Sequence, residues 1–339
     1  MQYAELGKSG LKVSKLALGT WGLGGGSVWS DKDSTVKEAT RLLDSCAEVG
    51  INYLDTAPVY GTGVSEELLG QALKGRRQDF VLQTKCSLNW RQEGGSFKYA
   101  RDGYTVNNDT SPEAIRRDVE DSLRRLQTDY LDVLIVHYVN ADTCPVPETV
   151  AGLEALIQEG KIRAYGLSNS QPEDLEAYGV AADGIPQAQG PSLVQEFFSI
   201  LSPFHGRSYF PVCADRKASF QTYGVLEEGF LTGPDFLDRH FAATDIRSRI
   251  PWTQDPYQEG LRQAFQAWQP LCDQYLCSFA NLVAAWALRQ FEQMSLLIGM
   301  RRPENVHDNL RCLDLALTEA DLRYMEDQVK SIQVEVLDK

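Results

Sequence analysis

The feature that most constrains the fold is a repeated alternation of short apolar segments with longer segments of helical periodicity. The apolar segments predict strands at 15–19, 51–54, 80–84, 131–136, 163–167 and 295–298, a strand within 192–201 that ends near Gln195, and a further helix-then-strand unit at 211–223. Strands joined by helical crossovers lie parallel, and about eight such units predict an α/β fold, a (β/α)8 TIM barrel. An N-terminal β-hairpin within 1–14 and extra C-terminal helices complete the expected architecture, with 1–339 as a single domain.

Composition and charge exclude several classes of function. The chain carries 33 basic and 47 acidic side chains, a formal net charge of -14, which argues against nucleic acid as a partner. No apolar run reaches the roughly 18 residues of a membrane helix, and the N-terminus lacks the pattern of a signal peptide. An odd number of dispersed cysteines, seven, favours a reducing compartment and no metal site. We therefore expect a cytoplasmic enzyme without membrane or nucleic-acid partners, a monomer or weak homo-oligomer.

Reactive side chains follow the ends of successive predicted strands. Asp55 ends one strand and Tyr60 follows in a turn-rich loop, while Lys85, His137 and Asn169 end later strands. In a parallel barrel these ends share one face. Asp55 would hold Lys85 charged, and Lys85 would lower the pKa of Tyr60 from about 10. Tyr60 could then protonate a substrate oxygen that His137 orients, so the set predicts proton transfer to a carbonyl group.

Several segments, in order, resemble the aldo-keto reductase family, particularly its bacterial-type general reductases. They include LALGTWGLGG, NYLDTAPVYGTGVSEELLGQAL, VLQTKC, DVEDSLRRLQTDYLDVLIVH, GLSN, GFLTG and IGMRRPENVHDN. The resemblance implies a barrel enzyme that transfers hydride from NADPH to an aldehyde or ketone, its small-molecule substrate. It assigns Tyr60 as the acid, Lys85 and Asp55 as the groups that tune it, and His137 as the residue that orients the carbonyl.

The resemblance also implies a cofactor site. Ser168, Asn169 and Gln195 would hold the nicotinamide carboxamide, with Gln189 as the alternative to Gln195, and Tyr223 would stack on the ring. Arg301 would take the 2′-phosphate, which favours NADPH over NADH, although NADH stays possible. The remaining positions that match the cofactor site are Gly19, Thr20, Trp21, Gly224, Leu226, Gly299, Asn305 and Asn309.

Two other functions stay open. The acidic pair Glu227-Glu228 lies where the family commonly carries small or basic residues near the pyrophosphate, which supports a sugar (lactol) dehydrogenase that uses NAD or NADP. The dispersed cysteines and the atypical loop after Tyr223 support a cofactor-sensing binding subunit with little turnover. Cys86, beside Lys85, is either a thiol with a lowered pKa or an inert neighbour of the pocket.

The loops at 86–110 and 235–256 are predicted to lie above the strand ends and to line the substrate pocket. The aromatic residues that could line it are Trp21, Trp29, Trp90, Phe97, Tyr104, Trp252 and Tyr257, with core or lid packing as the alternative for the four tryptophans. The two loops also carry four basic residues that could each meet an anionic substrate: Arg91, Lys98, Arg247 and Arg249. Local patterns also predict helix caps at Ser65 and at Asp33 or Ser34, and a helix from 302 through 313.

Overall fold

The computed structural model describes residues 1–25, 34–91 and 94–334. Its strands, in chain order, are β1 (Tyr3–Glu5), β2 (Lys12–Ser14), β3 (Leu16–Gly19), β4 (Tyr53–Asp55), β5 (Val81–Cys86), β6 (Leu88–Asn89), β7 (Ser96–Arg101), β8 (Tyr104–Asn108), β9 (Leu131–Val136), β10 (Ile162–Ser168), β11 (Leu193–Phe197), β12 (Ser219–Tyr223) and β13 (Met294–Gly299). Its α-helices are α1 (Val36–Val49), α2 (Val64–Ala72), α3 (Pro112–Leu126), α4 (Val146–Gln158), α5 (Pro172–Asp183), α6 (Phe204–Arg216), α7 (Tyr257–Tyr275), α8 (Phe279–Leu288), α9 (Pro303–Asn309) and α10 (Glu319–Val329).

Eight parallel strands close into a barrel in the order β3, β4, β5, β9, β10, β11, β12, β13. Each strand pairs with the next, and β13 pairs with β3 through the register Leu297 with Ala17. Helices follow each strand, with α7 and α8 both after β12 and α10 added after α9. The predicted TIM barrel and its extra C-terminal helices are confirmed. Among the described residues, no helix is both long and apolar enough to cross a membrane.

The predicted N-terminal hairpin is confirmed and closes the N-terminal end of the barrel. β1 and β2 are antiparallel, and the turn between them lies against the residues that enter β11 and β12. Gly7 donates its backbone N–H to Ser219 Oγ at 2.8 Å. It adopts φ +51°, and a Cβ there would lie 2.0 Å from the carbonyl oxygen of Ser192. Only glycine fits this close approach. Because the hairpin covers the N-terminal end of the barrel, the opposite, C-terminal end is its open face.

Two predicted helix caps are wrong. Thr35, rather than Ser34, caps α1: its side chain accepts a hydrogen bond from the Glu38 N–H in a capping box. Asp33, the other predicted cap, lies outside the described residues. Gly63 rather than Ser65 occupies the cap position of α2. Ser65 lies inside the first turn of α2, fully buried, and its hydroxyl contacts Thr20 and Thr56 at the ends of β3 and β4.

The connection between β5 and α3 is not the predicted loop. It forms a three-stranded antiparallel sheet in the order β6-β8-β7. The pairing of β7 with β8 shifts between Phe97 and Tyr99, which leaves Lys98 as the extra residue of a β-bulge. The sequence did not predict these strands because they carry polar and aromatic residues and lie half exposed outside the barrel. No alternation of apolar and polar residues therefore marks them.

Smaller differences from the predicted helices and loops lie between 172 and 314. Helix α5 was not predicted, and α6 begins seven residues before Pro211, where the predicted unit began. The connection at 235–256 holds short 3₁₀ turns rather than only loop. The helix predicted through 313 ends at Asn309 and continues as the 3₁₀ turn Leu310–Asp314.

Candidate active site

The C-terminal end of the barrel brings the predicted reactive side chains together. Asp55 is the last residue of β4, Lys85 the penultimate residue of β5, and His137 follows β9 directly. Tyr60 reaches the same place from the turn after β4, where its backbone N–H bonds to the Ala57 carbonyl. The next residue, Gly61, adopts φ +60°, and a Cβ there would lie 1.9 Å from the Gly24 carbonyl oxygen. The turn is therefore fixed by a close backbone approach that needs glycine.

Lys85 is the centre of this cluster. Its Nζ lies 2.8 Å from both carboxylate oxygens of Asp55, 2.9 Å from the Thr56 carbonyl oxygen and 3.0 Å from the Tyr60 hydroxyl oxygen. Lys85 and Asp55 are each only 1% exposed. The ammonium donates to Tyr60, so the phenol oxygen is an acceptor in this contact and its proton points elsewhere. The arrangement leaves Tyr60 able to donate that proton to a ligand.

The pKa values of the pair follow from burial. Desolvation lowers the pKa of Lys85, although the adjacent Asp55 carboxylate opposes that change. Burial and the Asp55 charge raise the pKa of Tyr60 well above 10. The expectation of a lowered Tyr60 pKa is therefore wrong, because desolvation and the Asp55 charge raise it. Tyr60 is protonated at neutral pH and is suited to act as an acid.

A buried amide network holds Asp55 from below. Oδ1 of Asp55 accepts hydrogen bonds from Gln83 Nε2 at 2.6 Å and from Gln195 Nε2 at 2.8 Å. The same two amides donate to Gln221 Oε1, at 2.8 and 2.7 Å respectively. Tyr53 donates to Gln83 from the layer beneath. The network fixes the carboxylate that orients Lys85, because three donors converge on one of its oxygens.

Gln83 and Gln221 were missed in the sequence, although each is a polar residue inside an otherwise apolar strand. That pattern was the available signal, because a polar side chain facing a barrel interior needs partners. Gln195 lies in this network, next to Asp55. Gln189, the alternative, lies in the connection that enters β11, where its backbone N–H bonds to Glu154 at 3.1 Å. It is therefore at the opposite end of the barrel from Tyr60.

On the other side of the opening, hydrogen bonds join three residues: Ser168, Asn169 and Tyr223. Nδ2 of Asn169 donates to the His137 carbonyl at 2.9 Å and to Ser168 Oγ at 3.1 Å, and Tyr223 donates to Asn169 Oδ1 at 2.7 Å. The Tyr223 ring meets Phe197 edge-on, and a Cβ on Gly224 would lie 2.0 Å from that Phe197 ring. These contacts hold the Tyr223 ring beside the site, where Tyr223 contributes to raising the pKa of Tyr60.

His137 lies among aromatic rings and two ammonium groups. Its ring meets Tyr60 edge-on at 6.2 Å and Tyr138 at 5.5 Å, while Nδ1 is buried with no hydrogen-bond partner among the described residues. Burial, followed by the charges of Lys85 and Lys98, lowers the pKa of His137 well below 6.5. The imidazole is therefore neutral at pH 7 and offers one N–H donor.

The depressed pKa of His137 predicts a specific pH dependence of stability. The unfolded state takes up a proton near pH 6.5 and the folded state does not, so His137 contributes stability that is full above pH 6.5 and falls below it. Between pH 6.5 and 5 the free energy of unfolding should therefore fall, with a slope of at most about 1.4 kcal/mol per pH unit. Urea unfolding of wild type and His137→Gln at both pH values measures this difference. Parallel pH dependence in the two proteins would contradict it.

Some of the predicted cofactor residues lie at the open site and others are buried. Trp21 stacks on Tyr60 at 6.0 Å and Leu226 is half-buried just beyond Tyr223, whereas the Thr20 side chain is fully buried. Thr20 bonds through both Oγ1 and its backbone N–H to the Asp55 carbonyl, at 2.8 and 3.0 Å. Thr20 thus fixes the ends of β3 and β4 rather than presenting its hydroxyl to a ligand. Gly19 precedes it at the end of β3.

The residues after β13 lie at the same end of the barrel. Arg301 is exposed, and its Nε lies 2.7 Å from where a Cβ on Gly22 would be, so the guanidinium packs on the β3 loop. Gly299 is exposed, with open space where a Cβ would be. Asn305 is exposed on α9, whereas Asn309 is only 7% exposed at its last turn. Gly299, Arg301 and Asn305 are thus all exposed at this end of the barrel.

Two expectations about the surrounding loops are wrong. Trp252 does not line the opening: it is fully buried and donates through Nε1 to Glu227 Oε2 at 2.8 Å. Glu227 is also fully buried and accepts a hydrogen bond from Ser199, so its carboxylate does not face a pyrophosphate. Burial raises the pKa of Cys86 well above 9, which removes the reactive-thiol interpretation and leaves an inert neighbour. Trp29 lies outside the described residues.

The chain belongs to the Aldo/keto reductase family, whose sequence pattern it matches over residues 15–330. It is 34% identical, over 98% of its length and all of the relative's, to an NADH-specific methylglyoxal reductase of Escherichia coli (strain K12). It is 30% identical to a probable voltage-gated potassium channel subunit beta of Arabidopsis thaliana, over 98% of this chain and 97% of that protein. The structure of a glycerol dehydrogenase from Gluconobacter oxydans superposes with a TM-score of 0.84 at 30% identity, covering 97% of this chain and 95% of that one.

Proposed function

We propose that this oxidoreductase reduces aldehyde or ketone carbonyls to alcohols with a nicotinamide cofactor, with Tyr60 as the general acid. The observation that carries the proposal is the 3.0 Å contact from Lys85 Nζ to the hydroxyl of a protonated Tyr60. A carbonyl oxygen that gains charge as it is reduced needs a proton, and Tyr60 holds one at the open end of the barrel. General acids placed in this way contribute about 10²–10⁴-fold to rates.

Each neighbour has a defined part in that proton transfer. Lys85 donates to the phenol oxygen and thereby stabilises the phenolate left when Tyr60 gives up its proton. Asp55 holds Lys85 in place and is itself fixed by Gln83 and Gln195. Neutral His137 supplies an N–H to orient the carbonyl oxygen. The cofactor, when bound, supplies the hydride.

The residues at the open end fit a nicotinamide cofactor. Tyr223 is held by Asn169, which in turn contacts Ser168, so an aromatic ring lies beside amide and hydroxyl groups. A carboxamide-bearing aromatic ring matches that mixture of polar groups and aromatic surface. The contacts to the rest of the cofactor are proposed to come from Gly19 to Trp21, Gly224, Leu226, Gly299, Asn305 and Asn309. The chain 1–339 is proposed to act as one barrel unit.

We assign NADPH as the preferred cofactor because Arg301 is exposed after β13 and suits a 2′-phosphate. The Escherichia coli relative is named NADH-specific, so the two cofactors must be compared directly. The test is absorbance loss of NADPH and of NADH with methylglyoxal and small aromatic aldehydes, alongside calorimetric affinities for both cofactors. Turnover of a carbonyl with either cofactor supports the reductase. A clear preference for NADH would remove the role of Arg301.

Two relatives favour alternative roles for the same site. The likeness to a glycerol dehydrogenase supports the oxidative direction, as in a sugar (lactol) dehydrogenase, and the same proton relay serves it in reverse. The likeness to a potassium channel subunit beta supports a cofactor-sensing subunit. Faster alcohol or lactol oxidation than carbonyl reduction at neutral pH would favour the dehydrogenase. Tight cofactor binding with negligible turnover in both directions would favour the sensing subunit.

A further inference from the structure

Of the four basic residues expected to meet an anionic substrate, three are committed away from the reactive cluster. Arg91 pairs with Asp118 at 3.1 Å and with Asp121 at 3.0 Å. Arg247 pairs with Asp245 through Nε and a terminal nitrogen. Arg249 bonds to the Ala243 carbonyl within its own loop. Their charges are neutralised or directed outward, so they are poor candidates to meet a substrate bound at Tyr60.

Lys98 is different because the β-bulge between Phe97 and Tyr99 turns it toward the site. Its Nζ lies 3.8 Å from the centre of the Tyr138 ring, and Tyr138 is the residue directly after His137. Its charge is one of the two that reach His137, the other being Lys85. No acidic side chain of the described ranges forms an ion pair with it. Lys98 is therefore a cation with no acidic partner among the described residues, one ring away from the hydrogen-bond donor of the site.

Phenol rings lie around the opening. Tyr223 is held there by its hydrogen bond to Asn169, and the His137 ring contacts both Tyr60 and Tyr138. The Lys98 ammonium lies over the Tyr138 ring, on the His137 side. A substrate with its carbonyl at Tyr60 and His137 would therefore be oriented with any negative group on the Lys98 side.

We propose that Lys98 makes the site selective for carbonyl substrates that also carry a carboxylate a few bonds from the carbonyl, above all aromatic aldehydes with a ring carboxylate. The proposal rests on the carbonyl-reductase function proposed above and names its substrate class. The phenol rings supply contact area for an aromatic body, and the ammonium supplies the ionic contact. Because Lys98 is exposed, salt should weaken its effect.

The test compares two substrates that differ by one charge, 4-carboxybenzaldehyde and methyl 4-formylbenzoate, in wild type, Lys98→Gln and Lys98→Glu. Wild type should favour the acid in kcat/KM. Lys98→Gln should reduce that preference about 10-fold, chiefly through KM, with the ester little changed, and Lys98→Glu should reverse it. Lys74→Gln removes an exposed lysine after α2, away from the site, and should leave the preference intact. The wild-type preference should also fall as salt is raised.

An acid-to-ester ratio that is the same in wild type and Lys98→Gln would overturn the role of Lys98 while leaving the reductase function standing. Failure of wild type to reduce either aldehyde would instead count against the reductase function. In that case the affinity for 4-(hydroxymethyl)benzoate, measured by the change in tryptophan fluorescence on binding, still tests whether Lys98 forms an anion site. Binding that weakens about 10-fold in Lys98→Gln supports the anion site, and equal binding in the two proteins removes it.

Discussion

Tyr60→Phe is expected to lower kcat for aldehyde reduction by about 10²–10⁴-fold while leaving cofactor affinity within about 2-fold of wild type. The variant keeps the ring that stacks on Trp21 at 6.0 Å and meets His137 edge-on, so packing is conserved. Only the hydroxyl that accepts from Lys85 at 3.0 Å is lost. The loss should appear in kcat and kcat/KM alike, since the proton is needed only as the carbonyl oxygen gains charge.

Tyr99→Phe is the matched control. Tyr99 also lies near Tyr60, and burial raises its pKa, but it makes no contact with Lys85. Its hydroxyl should therefore be dispensable to within a few-fold. Stopped-flow measurement of reduced-cofactor absorbance over a range of aldehyde concentrations separates kcat from KM for both variants. Equal turnover of wild type and Tyr60→Phe would remove Tyr60 as the acid.

The barrel itself was readable from the sequence because its strands are buried on both faces and carry apolar runs. The predicted strand 131–136 coincides with β9. Convergence of Asp55, Lys85 and His137 follows from the fold, because the ends of parallel strands share one face. Residue types and strand positions were enough to predict this part of the site.

The rest depended on contacts that sequence patterns do not encode. The β7–β8 hairpin is half exposed and lacks an apolar alternation, so the bulge that places Lys98 was invisible. Glu227 reads as a surface acid in the sequence, yet it is buried against Ser199 and Trp252. The pKa of Tyr60 was predicted with the wrong sign because the neighbouring cation was evident and the degree of burial was not. In each case tertiary packing, not local propensity, decided the outcome.

The second large effect is expected at Lys85, and it concerns folding as well as activity. Lys85→Met should lower the free energy of unfolding by about 3–5 kcal/mol, the range for removing one partner of a buried ion pair. The Asp55 carboxylate, 1% exposed, would keep its bonds to Gln83 and Gln195 but lose the only cation that contacts it among the described residues. Activity should fall to the level of Tyr60→Phe, because nothing would stabilise the phenolate.

The double variant Asp55→Asn/Lys85→Met separates the two consequences. An amide at 55 keeps an oxygen for Gln83 and Gln195 and carries no charge, so the double variant should be more stable than Lys85→Met alone by about 2 kcal/mol or more. It should remain inactive, because the donor to Tyr60 is still missing. Urea unfolding at pH 7 gives the stabilities. A double variant no more stable than the single one would mean that lost packing of the lysine, rather than an unpaired carboxylate, causes the destabilisation.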